Sequence, residues 1–505
     1  MNALTHPEPL WRRIGLALLA TGLSLALYSA TAAPWLTWAH EGADGGDLIA
    51  AAMTGGVAHP SGYPTYCLLG RLFALLPLGN IARRLTLFSA TAAAGSVALV
   101  FLLARNLLSE AEESSRGKDL LALGAALVWG AGPALWSQAI IVEVYALHAL
   151  FAALVLYLAS RRAALERPRA WLGLGLAVGL GLGNHLTLTL LLPGLALWLW
   201  PLARPRRMAA LLGGLALGLA VYLYIPLAAR GDPPVSWGDA RDWVGFWWLV
   251  SGRLYHGYLF ALPLAELPGR LAFWAQRSMA QLTLPGAALA LLGLEARWRR
   301  APRGWPAGGL LAAALVSLYA IGYHTSDSYL YLLPAFLVGV TWLAQGALWL
   351  GGRLAAQKPW LRWAGWLAPA LLALWLAAAN YGRLDLSRDN EAAVWAEAVL
   401  QAAPEGALLI SHADGHTFSL DYIQWVEGRR TDLLVVDGDL LAHEWYRRQL
   451  VRRRPALGEL DLGNVDALIA AHAQGRVYLT LYREGYQARW RLEREGVLWR
   501  VAGPR

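Results

Sequence analysis

The residues with the clearest chemical potential are two carboxylates three positions apart. Glu41-Gly-Ala-Asp44-Gly-Gly-Asp47 is followed closely by Val57-Ala-His59-Pro60-Ser-Gly62-Tyr63-Pro64. A helical turn beginning at Gly45 would place Asp44 and Asp47 on one face. Carboxylates beside an apolar segment are costly to desolvate and call for a reason. One reason is removal of a proton from an acceptor hydroxyl by a general base. A helix cap by Asp44 and a metal ligand are the others, and spacing alone leaves all three open. His59 could grip a phosphate or orient a carboxylate, or it could simply belong to the rigid Pro- and Gly-rich turn that carries Tyr63.

Other polar groups recur at the ends of apolar runs. Glu143-Val-Tyr145 and His148 open one of them, where Glu143 either complements a helix dipole or lines a cavity. Asn184-His185 falls between two short apolar runs, as a site at a helix break or as packing glue. Asp232 to Asp239 includes Trp237, with Arg230, Arg241 and Arg253 nearby. Those arginines could hold a phosphate bidentately, or the loop could be an interfacial one anchored by Trp. His324-Thr-Ser-Asp327-Ser-Tyr329-Leu-Tyr331 opens a later run, with Asp327 a further candidate cap.

The elements that must position these groups are membrane helices. The chain has 505 residues, of which 57% are hydrophobic and 15% charged, well below the roughly 25% charged of a soluble protein. Apolar runs lie near 14–33, 86–105, 119–135, 140–160, 170–185, 187–202, 208–227, 272–294, 307–323, 329–350 and 362–381, which predicts about 11 transmembrane helices. The net charge of +9 does not form a nucleic-acid-binding stripe, because the arginines cluster in alternate connections. Arg12-Arg13, Arg161-Arg162, Arg204 to Arg207 and Arg297 to Arg303 therefore mark the cytoplasmic side. Every unusual polar cluster falls on the other face. The mostly apolar stretch 67–77 reads as a re-entrant or interfacial helix, and Arg83-Arg84 then stand outside against the charge trend. Ser109 to Lys118 reads as a charged, solvated cytoplasmic connection.

From about residue 388 the texture changes. A helix at 389–403, strands at 407–411, 433–437 and 477–482 and a helix at 417–427 predict a small α/β domain. The predicted division is a helical membrane domain at 1–385, with a first external loop at 34–85, and a non-cytoplasmic α/β domain at 386–505. The single cysteine, Cys67, excludes a disulfide framework. Walker, dinucleotide, His-Glu-x-x-His and Gly-x-Ser-x-Gly motifs are all absent.

These motifs, in this order, resemble a bacterial membrane family whose animal relative is the transmembrane protein O-mannosyltransferase acting on plexin-type receptors. Asp44-Gly-Gly-Asp47-Leu is similar to its Asp-Ser/Gly-Gly-acidic element. Gly56-Val-Ala-His59-Pro-Ser-Gly-Tyr63-Pro is similar to Gly-Val-Ala-His-Pro-Pro-Gly-Tyr-Pro. Glu143-Val-Tyr145-Ala-Leu-His148, Gly183-Asn184-His185, Tyr222-Leu-Tyr-Ile-Pro226, Trp237-Gly-Asp239 and Asp327 with Tyr329 follow. A looser likeness runs through Asp414-Gly-His416-Thr-Phe, where His416 replaces a common Asp.

The resemblance implies a polytopic all-α domain of GT-C type with a cavity on the non-cytoplasmic side of the bacterial inner membrane. It also implies a polyprenyl-phosphate sugar donor and a catalytic carboxylate in the first external loop. The expected reaction is sugar transfer to a hydroxyl of an acceptor protein or glycan, with inversion. Asp44 and Asp47 are the expected catalytic pair. His59, Tyr63, Glu143, Tyr145, His148, Asn184, His185, Arg230, Trp237, Asp239, Asp327 and Tyr329 are the expected substrate contacts. No cofactor is expected; a divalent metal is compatible with the acidic pair but not favoured. The partners are the lipid-linked sugar, the acceptor and membrane lipids, and no nucleic acid. The rival is a transporter or flippase using the break at Asn184-His185; a scaffold displaying the C-terminal domain is a third reading.

Overall fold

The computed structural model describes residues 10–109, 111, 113–300, 303–459, 461–472 and 476–505. Positions 1–9 of the first domain, and 110 and 112 of the charged connection 109–118, lie outside the described residues.

Among these residues, six helices are long and apolar enough to cross a membrane: Trp11–Thr31, Ile81–Leu107, Pro205–Arg230, Gly304–Gly322, Asp327–Ala355 and Pro359–Leu384. Two further apolar stretches are sharply bent. Ser115–Ala131 turns by 61° into Pro133–Ala139, and Leu264–Leu282 turns by 91° into Leu284–Trp298. The expected straight span at 272–294 is therefore two helices. At the break Thr283 adopts φ 64°, and its hydroxyl caps the second helix by accepting from the Gly286 amide at 3.1 Å. Tyr145–Ser160, Pro168–Leu182 and Leu186–Leu202 are shorter apolar helices, so the full expected set of 11 crossings would have to include short and broken ones.

Ion pairs hold several of the basic connections. Arg105 and Arg12 converge on buried Asp119 at 2.7 and 2.9 Å, and Arg207 pairs with Glu166. Basic connections also adjoin one another: Arg297 and Arg300 lie with Leu107, Leu108 and Ala111, and Arg162 lies beside Gly304, so these connections share one end of the bundle. Arg83-Arg84, the exceptions, lie at the opposite end with a local explanation. Arg83 donates to the carbonyls of Ser29, Ala32 and Ala33, closing the C-terminus of the first helix. A cation there satisfies orphan carbonyls and complements the helix dipole. Arg84 does the same for Ala74 and Gly79. The helix Pro64–Phe73, which overlaps the expected re-entrant stretch 67–77, is only ten residues long. It exposes Leu68, Leu69 and Leu72 and buries Tyr66 and Cys67.

The C-terminal domain is a five-stranded sheet in the order β2-β1-β3-β5-β4. Its strands are β1 Leu408–Ser411, β2 Leu434–Asp437, β3 Val477–Leu479, β4 Trp490–Glu495 and β5 Leu498–Pro504. β1 runs parallel to β2 and β3, and the hairpin β4–β5 closes the sheet antiparallel to β3. The hairpin is absent from the sequence expectation, because the charged run of β4 hides its alternation. The helix Asp414–Trp425 lies on the short helix Gly45–Thr54 of the membrane domain. The Phe418 carbonyl occupies the place where a Cβ on Gly46 would sit. Gly46, between the two carboxylates, is therefore part of the surface on which the second domain docks.

Candidate active site

Asp44 is the residue just before the helix Gly45–Thr54, yet its side chain makes no capping hydrogen bond. It turns toward His59, with Oδ2 at 3.4 Å from Nε2, and keeps 37% of its side chain accessible. The capping reading is thereby set aside. Two non-glycine residues just upstream, His40 and Glu41, hold left-handed backbone at φ 58° and 65°. Such strain persists where surrounding structure over-determines it, as at many functional sites.

Asp47 points the other way and is 0% exposed. Its Oδ2 accepts from the His59 backbone amide at 2.9 Å and lies 2.7 Å from His59 Nδ1. Its Oδ1 accepts from the Trp237 indole at 2.8 Å. Both oxygens are engaged, so Asp47 anchors and orients His59 instead of facing substrate. Trp237 is brought in by pairing with the first loop. Val57 N donates to the Val235 carbonyl at 2.9 Å, and Trp237 N donates to the Val57 carbonyl at 3.1 Å. The Val235 carbonyl leaves no room for a side chain at position 56, which explains Gly56.

Between its two carboxylates, His59 is pushed up to about 9: burial opposes its charge, but Asp44 and Asp47 together outweigh burial. Burial pushes Asp44 above the usual carboxylate range; His59 pulls it back, and Asp47 and Asp327 push it further up. At neutral pH the pair is an imidazolium beside an accessible carboxyl group of raised proton affinity.

Asp44 and His59 open onto a cavity of about 790 Å³. Tyr63, Tyr145, His185, Trp237 and Asp327 of the expected set also line it. Tyr145 OH stands 3.5 Å from Asp327, and the His185 ring lies 5.3 Å from that of Tyr145 and 6.2 Å from that of Tyr63.

Others of the expected set stand outside that lining. Glu143 folds back to accept from the Val144 amide at 2.9 Å. Asn184 donates to the Val144 carbonyl at 3.1 Å, and fully buried His148 faces Thr187 at 3.4 Å. Asp239 forms ion pairs with Arg241 and with Arg452 of the C-terminal domain at 3.0 and 2.9 Å. Tyr329 lies under the Arg277 guanidinium, 4.2 Å from ring centroid to Cζ. Arg230 is exposed at its helix end, Arg253 is exposed on its loop, and Arg241 is committed to Asp232 and Asp239. The expected arginine grip on phosphate is therefore not assembled. Among the described residues, neither Arg nor Lys lines the cavity, and no cluster of three or more His, Cys, Asp or Glu is arranged to hold a metal ion.

The C-terminal domain contributes residues that sequence reasoning did not select. Asp414, Asp437, Asp439 and His443 line the same cavity. They follow or end β1 and β2, at the carboxyl edge of the parallel strands, where such sheets present their loops to ligands. Asp414 is pushed up to about 6 by burial, with Asp44 and Asp437 adding. The looser Asp414-Gly-His-Thr-Phe likeness was the available signal for it. His416, in place of the common Asp, is stacked on Trp395 at 4.0 Å, a packing role.

The architecture is that of a GT-C membrane protein. The chain aligns with ArnT of Cupriavidus metallidurans bound to undecaprenyl phosphate at a TM-score of 0.58, with 14% identity over 97% of this chain and 98% of that one. It aligns with the apo oligosaccharyltransferase of Archaeoglobus fulgidus at a TM-score of 0.53, with 13% identity over 88% of this chain and 69% of that one. These establish the fold.

Sequence comparison gives the particular relationship. Residues 44–206 match the protein O-mannosyl-transferase TMEM260 N-terminal domain, and residues 392–487 match TMEM260-associated domain 2. The mouse protein O-mannosyl-transferase TMEM260 is 27% identical over 472 residues, covering 86% of this chain. The chain is related to this animal enzyme and spans 65% of its length.

Proposed function

We propose that this protein is a membrane glycosyltransferase that moves a sugar from a polyprenyl-phosphate donor to a hydroxyl of a protein or glycan acceptor. The observation that carries the reading is the division of labour between the two carboxylates. Asp47 is saturated by three hydrogen-bond contacts, while Asp44 is left uncapped and open to the cavity. The family relationship and the fold shared with a lipid-phosphate-binding protein support it.

In this reading the acceptor oxygen attacks the anomeric carbon as its proton passes to Asp44. The bond from that carbon to the phosphate oxygen breaks, and polyprenyl phosphate departs with the electron pair, inverting the centre. His59, held by Asp47 and Trp237, positions Asp44 and supplies positive charge beside the leaving phosphate. With the arginines elsewhere, His59 carries this role within the cavity. Arg277, stacked over Tyr329 two residues from Asp327, is the nearby guanidinium that acts on Glu41. The proposal requires no divalent metal. It places the cavity and the C-terminal domain on the non-cytoplasmic face of a bacterial inner membrane, in agreement with the clustering of basic connections at the other end of the bundle.

The test is reconstitution of the full chain in liposomes with synthetic polyprenyl-phosphate mannose and water-soluble acceptors. Asp44→Asn is expected to lower transfer by about 10²- to 10⁴-fold while the protein remains folded. Transfer at the parental rate by that variant would remove the central assignment. Counterflow of a labelled solute without product would favour the transporter alternative.

A further inference from the structure

The helix Trp243–Val250 belongs to none of the spans. Its eight residues reach about 12 Å, well short of the roughly 30 Å of a hydrocarbon core. Apart from Gly245, every one of them is apolar.

Its two faces have different surroundings. On one, a Cβ at Gly245 would meet the carbonyls of Gly238 and Asp239 at 2.7 and 2.6 Å, and Leu249 is 0% exposed. On the same side the Trp248 ring lies 5.8 Å from that of His443 and 5.7 Å from that of Trp445, both in the C-terminal domain. Trp243, Val244 and Trp247 are turned away from this packing and are 73%, 75% and 57% exposed. Trp243 stacks on Trp247 at 6.0 Å and 14°, and on Phe246 at 5.7 Å and 25°. A contiguous apolar face of this kind marks an interaction surface.

Depth, continuity and chemistry all match a bilayer. A Cβ on Gly62 would stand 2.9 Å from Ile225 Cδ1 and 3.0 Å from Leu249 Cδ2, so the helix lies beside Ile225 of the span Pro205–Arg230. Arg230 ends that span five residues later, about 7 Å further along its axis. The helix is therefore sunk below the end of the span by the depth of an interfacial helix, about 5–10 Å. The outer face also continues the lipid-facing surface. Leu223 and Leu227 of that span are each 64% exposed, and Leu264, at the start of the next apolar stretch, is 86% exposed. Trp is the residue suited to this boundary, because its ring is apolar while its N–H reaches the wet layer. Arg230 and Arg253, exposed before and after the helix, can extend to headgroup phosphates.

We propose that Trp243–Val250 is an interfacial anchor that lies along the membrane surface on the side of the reaction cavity, with Trp243, Val244 and Trp247 among the lipid headgroups. Its inner face seats the C-terminal domain through Trp248, and the loop that follows it brings Ser251, Gly252 and Tyr255 to the cavity wall. The bilayer thus holds one wall of the cavity and the seat of the second domain together. This placement is independent of what the cavity transfers.

The test is a fluorescent label on Val244→Cys in the full chain, reconstituted in phosphatidylcholine liposomes. Cys67, the chain's single cysteine, is buried, so the new thiol is the one that reacts. Lipids carrying a doxyl quencher near the headgroup should remove most of the emission, and lipids with the quencher at the chain end should remove little. The same label on Glu493→Cys, in the hairpin β4–β5, should keep its emission with both. Adding Trp243→Ser and Trp247→Ser should reduce quenching at position 244 severalfold. Emission at 244 that no quencher lipid changes overturns the proposal. So does a label in detergent whose shielding grows with protein concentration, which would give the face to a second copy of the chain.

Discussion

The indole of Trp237 donates to Asp47 Oδ1 at 2.8 Å across 190 residues of chain. This bond fixes the first polar loop to the 234–237 segment and completes the hydrogen bonding of a carboxylate that water does not reach. Trp237→Phe keeps most of the ring packing but leaves one Asp47 oxygen unpaired. The expected cost is about 1–3 kcal/mol, read as a lowered Tm together with a fall in transfer rate as His59 loses its fixed orientation.

Asp44→Asn and Asp47→Asn should differ in kind. The first removes the proton acceptor and lowers kcat without displacing His59. The second weakens the hold on the imidazole, so His59 loses its proton at lower pH than in the parent. The alkaline limb of the pH–rate profile, set in the parent by His59 near 9, should therefore move down in Asp47→Asn. Identical limbs in Asp47→Asn and the parent would contradict the positioning role of Asp47.

Stability should follow the same group. His59 has a higher proton affinity folded than unfolded, so its contribution is fully present below its unfolded value near 6.5 and is lost as pH rises through about 9. Thermal unfolding of the parent is expected to shift to lower temperature over that window. The shift should be smaller in His59→Gln, which cannot carry the charge.

Gly46→Ala places a methyl where the Phe418 carbonyl sits. Overpacking of this kind costs about 1–3 kcal/mol, and it falls on the contact between the two domains. Faster proteolysis after residue 385, with the membrane domain intact, is the expected signature.

Transfer should persist in the presence of a chelator, because the proposal gives the leaving phosphate's charge to His59. Loss of activity in EDTA, restored by a divalent cation, would replace that assignment with a metal held among the cavity carboxylates.

The sequence by itself determined the membrane character, the clustering of basic connections and the identity of the chemical loop. These are written in local composition: apolar runs, Arg clusters and an ordered set of short motifs. It also marked Asp44, His59, Tyr63, Tyr145, His185, Trp237 and Asp327, all of which line one cavity.

Which carboxylate faces the cavity was decided only by tertiary structure. Asp44 and Asp47 share a local spacing, but their roles are set by His59 on the next turn and by Trp237, 190 residues along the chain from Asp47. Of the expected arginines, Arg241 is likewise committed by tertiary partners, since it and Arg452 answer Asp232 and Asp239 in a contact between domains. The hairpin β4–β5, the bend at Thr283 and the reach of Asp414 and Asp437 into the cavity likewise depend on how separate segments pack. Local pattern records what a residue can do; the partners supplied by the fold select which of those things it does.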